Sequence, residues 1–250
     1  MTPDPEIVVE RSAGVLAART AHRTVAALAA AVESRGVAHL VITGGGILES
    51  VLAALATCTL SWDRVHVWWG DERWVPSASA DRNDLPALAK LFDKVDIDPA
   101  KLHRMPASDA EFPDAESAAA AYAAELAAYA INGESVPRFD VVLLGIGPDG
   151  HCASLFPDQA GPRVLDRAVI AVHNSPKPPP DRLSLTFPSL NAANEIWFVA
   201  SGDGKADAVA AALSGDADGV HVPSAGPRGR DHTLWLLDPE AAATLSTPID

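Results

Sequence analysis

The chain has 250 residues, 48% of them hydrophobic and 21% charged, and a formal net charge of −14. This composition is that of an ordinary globular chain and excludes one that stays disordered. The acidity argues against a general nucleic-acid surface, although a few focused Arg and Lys side chains can still hold one phosphate.

"MTPDPEIVVE" is acidic and Pro-containing, without the basic segment and apolar stretch of a signal peptide. "TVAALAAAV" is about half a membrane span and reads as helix. No membrane partner is expected, and the cytoplasm is the expected compartment. Cys58 and Cys152 stand far apart, which suits a reducing compartment rather than a disulfide scaffold or a zinc ribbon.

The first buried strand is predicted in "VAHLVIT", Val37 to Thr43. It runs through Gly44, Gly45 and Gly46 into the helical "ILESVLAALAT". It reads either as a plain glycine loop or as one whose backbone N–H groups point at an anion at a helix N-terminus; it carries neither a GxGxxG nor a GK[ST] motif. "RVHVWW", Arg64 to Trp69, is the next strand. It leads into "GDERWVPSASADRND" and then a helical "LPALAKLFDKV". Asp71, Glu72 and Arg73 therefore follow a strand end, flanked by tryptophans. Two readings stand there: a solvated turn with internal ion pairs, or a ligand site.

"DAESAAAAYAAELAAYA" reads as helix, with Ser117 near its start. "FDVVLLGIG" is a strand that ends in Gly145, Gly147, Pro148 and Gly150, a turn that presents Asp149 and His151. Cys152 reads as a small buried thiol, because side chains of adjacent residues diverge and nothing sets the His151 imidazole against it. "SPKPPPD", Ser175 to Asp181, is a stiff loop whose prolines hold Lys177 and Arg182 in a fixed relation. A strand pattern resumes in "RLSLTF". "IWFVAS" leads into "GDGKADAVAAAL", placing Lys205 near a helix start, where a cation is unfavourable unless an anion lies between. "HTLWLLD" leads into "PEAAATL", read as a helix with Pro239 in its first turn. Histidines such as His66 and His221 show no metal-ligand spacing, so no metal is expected.

Strands that are apolar throughout are buried on both faces. The expectation is an α/β protein: a three-layer α/β/α arrangement with a mostly parallel sheet, in one domain spanning residues 1–250.

"WWGDERWVP", "LLGIGPDGHCASLFP", "SPKPPPDRLSLTFPSLNAANEIWFVASGDGK" and the early glycine loop together resemble the 6-phosphogluconolactonase family in order and spacing. The resemblance implies the fold group of glucosamine-6-phosphate deaminase and ribose-5-phosphate isomerase. It implies hydrolysis of 6-phospho-D-glucono-1,5-lactone in the oxidative pentose phosphate pathway, without a cofactor. The protein would act on a small sugar-phosphate lactone as a monomer or small homo-oligomer.

Within that reading His151 is the general base, because imidazole accepts a proton near neutrality. Asp149 orients it or binds sugar hydroxyls. Arg73, Arg182 and Lys205 are the candidates for holding phosphate and the charged intermediate, with Lys177 and Arg82 behind them. Gly44, Gly45, Gly46, Asp71 and Glu72 complete the expected substrate site. The sequence departs from the family in one place. Many members have a loop like SGGSTP, whereas "TGGGILES" lacks those hydroxyls unless Thr43 or Ser50 supplies them. In the related deaminases a loop like GxDGHxAFNEP carries a catalytic Glu; Ser154, Leu155 and Phe156 stand there instead. A sugar-phosphate-binding regulator would keep the cations and dispense with His151. An oligomeric structural protein would show no such cluster at all.

Overall fold

A strand without a polar face needs cover on both sides, and this determines the architecture. The computed structural model describes residues 3–245. In chain order the elements are β1 (Glu6–Val9), α1 (Ala13–Arg35), β2 (Ala38–Ile42), α2 (Gly46–Leu55), β3 (Val65–Trp69) and β4 (Asp71–Arg73). Then come α3 (Asp84–Lys90), β5 (Leu102–His103), α4 (Ala115–Ala128), β6 (Val141–Leu144) and β7 (Val169–Val172). The last are β8 (Arg182–Leu185), α5 (Phe187–Leu190), β9 (Glu195–Ala200), α6 (Ala206–Ala212) and β10 (His232–Leu237).

Seven strands form one sheet in the order β1-β10-β9-β6-β2-β3-β5. Every pairing in it is parallel. Helices flank it, as the apolar strands require; β2 and β6 are buried at every residue. The helices start where local chemistry allows. Ser12 caps α1 by accepting from the Val15 N–H, and Gly36, in a left-handed conformation, ends it. In α4 the cap is Asp114, which accepts from the Ser117 N–H at 2.7 Å; Ser117 supplies the backbone donor rather than the cap.

A second sheet, antiparallel and three-stranded, has the order β4-β8-β7. It accounts for several differences from the sequence reading. "GDER" is not a solvated turn: Asp71–Arg73 pairs with Arg182–Ser184 as a strand. β1, β5 and β7 are not among the strands read from the sequence; β5 has only two residues, too few to carry a pattern. The predicted "PEAAATL" helix is not formed. Residues 239–244 make only turns, with the Asp238 carboxylate accepting from the Ala241 N–H at 2.9 Å. No helix among the described residues is long and apolar enough to cross a membrane.

Candidate active site

In the large sheet the chain moves from β2 outward to β3 and β5, then returns to the other side of β2 with β6, β9 and β10. The order therefore reverses between β2 and β6. The carboxyl ends of strands flanking such a point open a crevice, because their two loops leave in opposite directions. A cleft of about 300 Å³ lies there. The loops after β2, β3 and β6, and Lys205 beyond β9, all contribute to its wall. Thr43 joins the two central loops: its Oγ1 donates to the Leu143 carbonyl at 3.1 Å and accepts from the Gly145 N–H at 3.4 Å.

The loop after β6 folds back tightly on itself. The Gly147 N–H donates to the His151 carbonyl and the Gly150 N–H to the Gly147 carbonyl, each at 2.9 Å. Gly150 takes φ +82°, a left-handed conformation that suits glycine. A Cβ at Gly147 would fall 1.9 Å from His151 Nδ1, so the ring occupies the space that glycine leaves open. This turn brings Asp149 Oδ1 to 2.6 Å from His151 Nδ1. Lys177 Nζ lies 2.9 Å from the same Asp149 oxygen. Phe156 packs against the imidazole with ring centroids 4.7 Å apart.

Burial lowers the His151 pKa below its ordinary value, and Lys177 adds to this, while the Asp149 hydrogen bond and charge oppose it. The imidazole is thus neutral at neutral pH. Burial alone would raise the Asp149 pKa, but hydrogen bonds from Lys177 and His151 outweigh it and hold the carboxyl at about 2. Asp149 Oδ1 at 2.6 Å and Lys177 Nζ at 3.2 Å both approach Nδ1, and the shorter contact to the ionised carboxylate favours the tautomer with its proton on Nδ1 and Nε2 as the basic nitrogen.

Four cations line the cleft: Arg73, Lys177, Arg182 and Lys205. The β4–β8 register sets Arg73 directly opposite Arg182. Like charges directly opposite each other are unfavourable unless an anion separates them. Arg73 Nη1 donates to the Asp81 carbonyl at 2.5 Å, and its buried Nε has no hydrogen-bond partner among the described residues. Arg182 is largely committed to the proline loop, donating to the carbonyls of Lys177, Pro178 and Pro179 at 3.0–3.1 Å. The fixed relation of Lys177 and Arg182 is therefore a hydrogen-bonded one. Lys205 Nζ donates to the Ile146 carbonyl at 2.7 Å, and burial lowers its pKa.

Asp71 lines the cleft, but Glu72 does not. Side chains alternate along a strand, so Glu72 points away from the cleft and is fully buried. Its carboxylate accepts from the backbone N–H groups of Arg73, Asn83 and Asp84 at 2.7–2.9 Å. It ties together both ends of the loop between β4 and α3. Burial, with the nearby Asp84 charge, pushes its pKa up to about 7, against the pull of Arg82 and the N–H groups of Asn83 and Arg73. Arg82 is likewise internal, 2% exposed and bridged to Asp84 at 2.8 Å. Neither belongs with the residues that face a ligand.

Gly44 and Gly45 border the cleft; Gly46 and Ser50 line the neighbouring groove instead. Ser50 Oγ donates back to the Gly46 carbonyl at 3.3 Å, and Thr43 Oγ1 is spent on joining the loops. The glycine loop therefore faces the cleft chiefly with backbone. Cys152 is the small buried thiol expected, its pKa raised far above the ordinary range by burial.

Two residues escape sequence reasoning. Asn83 reaches the cleft and donates to the Asp71 carbonyl at 3.2 Å. Ser154, 1% exposed, donates to Asp71 Oδ2 at 2.7 Å. Both stand in stretches that were already legible as site loops, but no spacing rule links them to Asp71. Among the described residues no group of three or more His, Cys, Asp or Glu side chains is placed to hold a metal ion.

The fold and the site together define an α/β protein with a cationic cleft at a topological switch point and an Asp–His pair inside it. The family model described as glucosamine-6-phosphate isomerases/6-phosphogluconolactonase matches residues 11–235. A 6-phosphogluconolactonase of Streptomyces coelicolor is 48% identical over 252 residues, covering 98% of this chain and 96% of its own. The structure of a 6-phosphogluconolactonase from Trypanosoma brucei superposes with a TM-score of 0.83 at 27% identity, covering 98% of this chain and 100% of the other. In fold alone, a monomeric glucosamine-6-phosphate deaminase is also similar, with a TM-score of 0.77 at 20% identity over 95% of this chain and 99% of the other. The chain belongs to the glucosamine-6-phosphate isomerase/6-phosphogluconolactonase family.

Proposed function

We propose that this protein hydrolyses 6-phospho-D-glucono-1,5-lactone to 6-phospho-D-gluconate, with His151 as general base. The observation that carries the reading is the Asp149–His151 pair, 2.6 Å apart, inside a cleft ringed by four cations. A δ-lactone is an activated ester, so one positioned base is enough to drive water onto it. His151 Nε2 takes a proton from the attacking water as the new C–O bond forms at the lactone carbonyl. Asp149 stabilises the resulting imidazolium. The carbonyl oxygen becomes an oxyanion, which cations and loop N–H groups favour. The intermediate collapses by breaking the bond to the ring oxygen, which recovers a proton from His151. No cofactor enters the balance.

Arg73, Arg182 and Lys205 hold the phosphate and the developing charge, and Lys177 supports Asp149. Asp71 accepts from sugar hydroxyls. The site draws on loops from residue 43 to residue 205, so the whole chain, 1–250, acts as one lactonase domain. The substrate is a small cytoplasmic metabolite, and monomers or small homo-oligomers suffice.

The test is acid release in a pH-stat with freshly generated lactone, after subtracting spontaneous opening. Acceleration over the blank is expected, and a rate equal to the blank would remove the proposal. The deaminase reading is disfavoured by Phe156 and Leu155, buried apolar side chains in the segment where that family carries its acid. Glucosamine 6-phosphate should release no ammonia with this protein. Enzyme-dependent ammonia would favour the deaminase.

A further inference from the structure

Ser154 has three polar neighbours whose chemistry determines what its hydroxyl does. Its N–H donates to Ser184 Oγ at 3.2 Å, and Ser184 Oγ donates onward to the Leu185 carbonyl at 3.0 Å. The backbone of Ser154 is thus tied to β8. Its Oγ lies 2.7 Å from Asp71 Oδ2 and 3.5 Å from Arg182 Nη1. A guanidinium only donates and a carboxylate only accepts, so the hydroxyl proton points to Asp71.

Asp71 is itself 4% exposed, yet it borders the cleft. Ser154 occupies Oδ2. The other oxygen, Oδ1, has Asn83 Nδ2 at 3.5 Å, the outer limit of a hydrogen bond. Oδ1 therefore keeps its accepting capacity for a donor in the cleft. Without Ser154 the carboxyl would be free to rotate about its terminal torsion, which is soft.

We propose that Ser154 is a positioning residue: its hydroxyl holds the Asp71 carboxylate in the orientation that offers Oδ1 to a hydroxyl group of the bound sugar lactone. This rests on the reading of Asp71 as a sugar-binding residue. It makes the segment after His151 a second, indirect part of substrate recognition, reaching the lactone through β4.

The experiment is a double-mutant cycle on lactone hydrolysis, with Tm recorded for every variant. Ser154→Ala should lower kcat/KM by about 10- to 100-fold, the range for losing a hydrogen bond to a charged group. In an Asp71→Ala background the same change should cost no more than about twofold, since the group it acts through is gone. Ser154→Cys keeps the shape but donates weakly, so it should fall between serine and alanine; it replaces Ser154→Ala in the cycle if the latter does not fold. A merely structural serine lowers Tm and leaves kcat/KM unchanged, or lowers kcat/KM equally in both backgrounds. Either result overturns the proposal. If Asp71→Ala is slow while Ser154→Ala runs at the wild-type rate, the role of Ser154 fails alone. If Asp71→Ala itself runs at the wild-type rate, the reading of Asp71 fails and this proposal fails with it.

Discussion

His151 is one side chain on which chemistry and binding should separate. His151→Ala is expected to lower kcat by about 10²–10⁴-fold, the worth of a positioned acid–base group. Binding of 6-phosphogluconate, measured by calorimetry, should survive, because the cations that would hold the phosphate lie on other loops. A folded variant that binds product and hydrolyses lactone at the wild-type rate would remove His151 from the mechanism. The pH profile follows from the direction of its pKa. Burial lowers it from the ordinary value of 6.5, so the basic form dominates at neutral pH and the rate above blank should fall only on the acid side of that value. Asp149, held at about 2, stays ionised throughout this range. Gly147→Ala should be nearly as damaging as losing the base. The added Cβ would meet Nδ1 at 1.9 Å and Asp149 Oδ1 at 2.4 Å, and one of them must move. Wild-type activity in that variant would show that the loop has another arrangement.

Elements, rather than single residues, set the spacing of the cations. Arg73 and Arg182 are opposed only because β4 pairs antiparallel with β8, and Lys205 arrives on the turn that opens α6. Arg73→Ala and Lys205→Ala should each reduce kcat/KM by about 10- to 100-fold with little change in Tm, since each removes charge-assisted contacts to an anion. Unchanged kcat/KM in both would rule out the anion site. Glu72 belongs to the same element but behaves differently. Its carboxylate gathers three backbone N–H groups beside Arg82. Glu72→Ala should cost about 3 kcal/mol or more in a denaturant titration, because buried donors and a buried cation lose their acceptor. A variant as stable as the wild type would show that the loop between β4 and α3 closes without it.

The molecule as a whole carries an acid-sensitive array at the opposite end of the sheet from the cleft. His39 and His66 face each other across β2 and β3, stacked at 5.2 Å. His66 Nδ1 lies 2.8 Å from His103 Nε2, and His103 Nδ1 lies 2.6 Å from Glu125. Burial, reinforced by the neighbouring histidines, lowers His39 to about 3 and His66 to about 4. A base with a depressed folded pKa contributes stability above its unfolded pKa, and loses it as pH falls from 6.5 toward the folded value. For the buried His39 the slope approaches about 1.4 kcal/mol per pH unit. Glu72 works the other way between its ordinary value and about 7, since folding favours its protonated form. Two histidines outweigh one carboxylate, so Tm should fall as pH drops from 6.5 to 4. His66→Phe should flatten that slope, and an unchanged slope would exclude the array as its source.

The apolar runs of β2, β3, β6, β9 and β10 made the parallel sheet legible in the sequence, because burial on both faces leaves no polar alternation. The loops after them were legible as well, since Gly145, Gly147 and Gly150 forbid regular structure and present Asp149 and His151. Those are local effects, written in a few consecutive residues. What is not local was not legible. The "PEAAATL" segment has helical composition, but it forms only turns capped by Asp238. Glu72 and Asp71 look equivalent in "GDER", and only the pairing of β4 with β8 decides which carboxylate is buried under the loop and which borders the cleft. That pairing joins residues more than a hundred positions apart, and the contact of Ser154 with Asp71 spans about eighty. Side-chain alternation turns one such pairing into a whole assignment of roles. The sequence by itself determined the parallel sheet and the loops that follow its strands; the tertiary structure decided which of their residues face the cleft, because facing depends on a partner strand that no local pattern names.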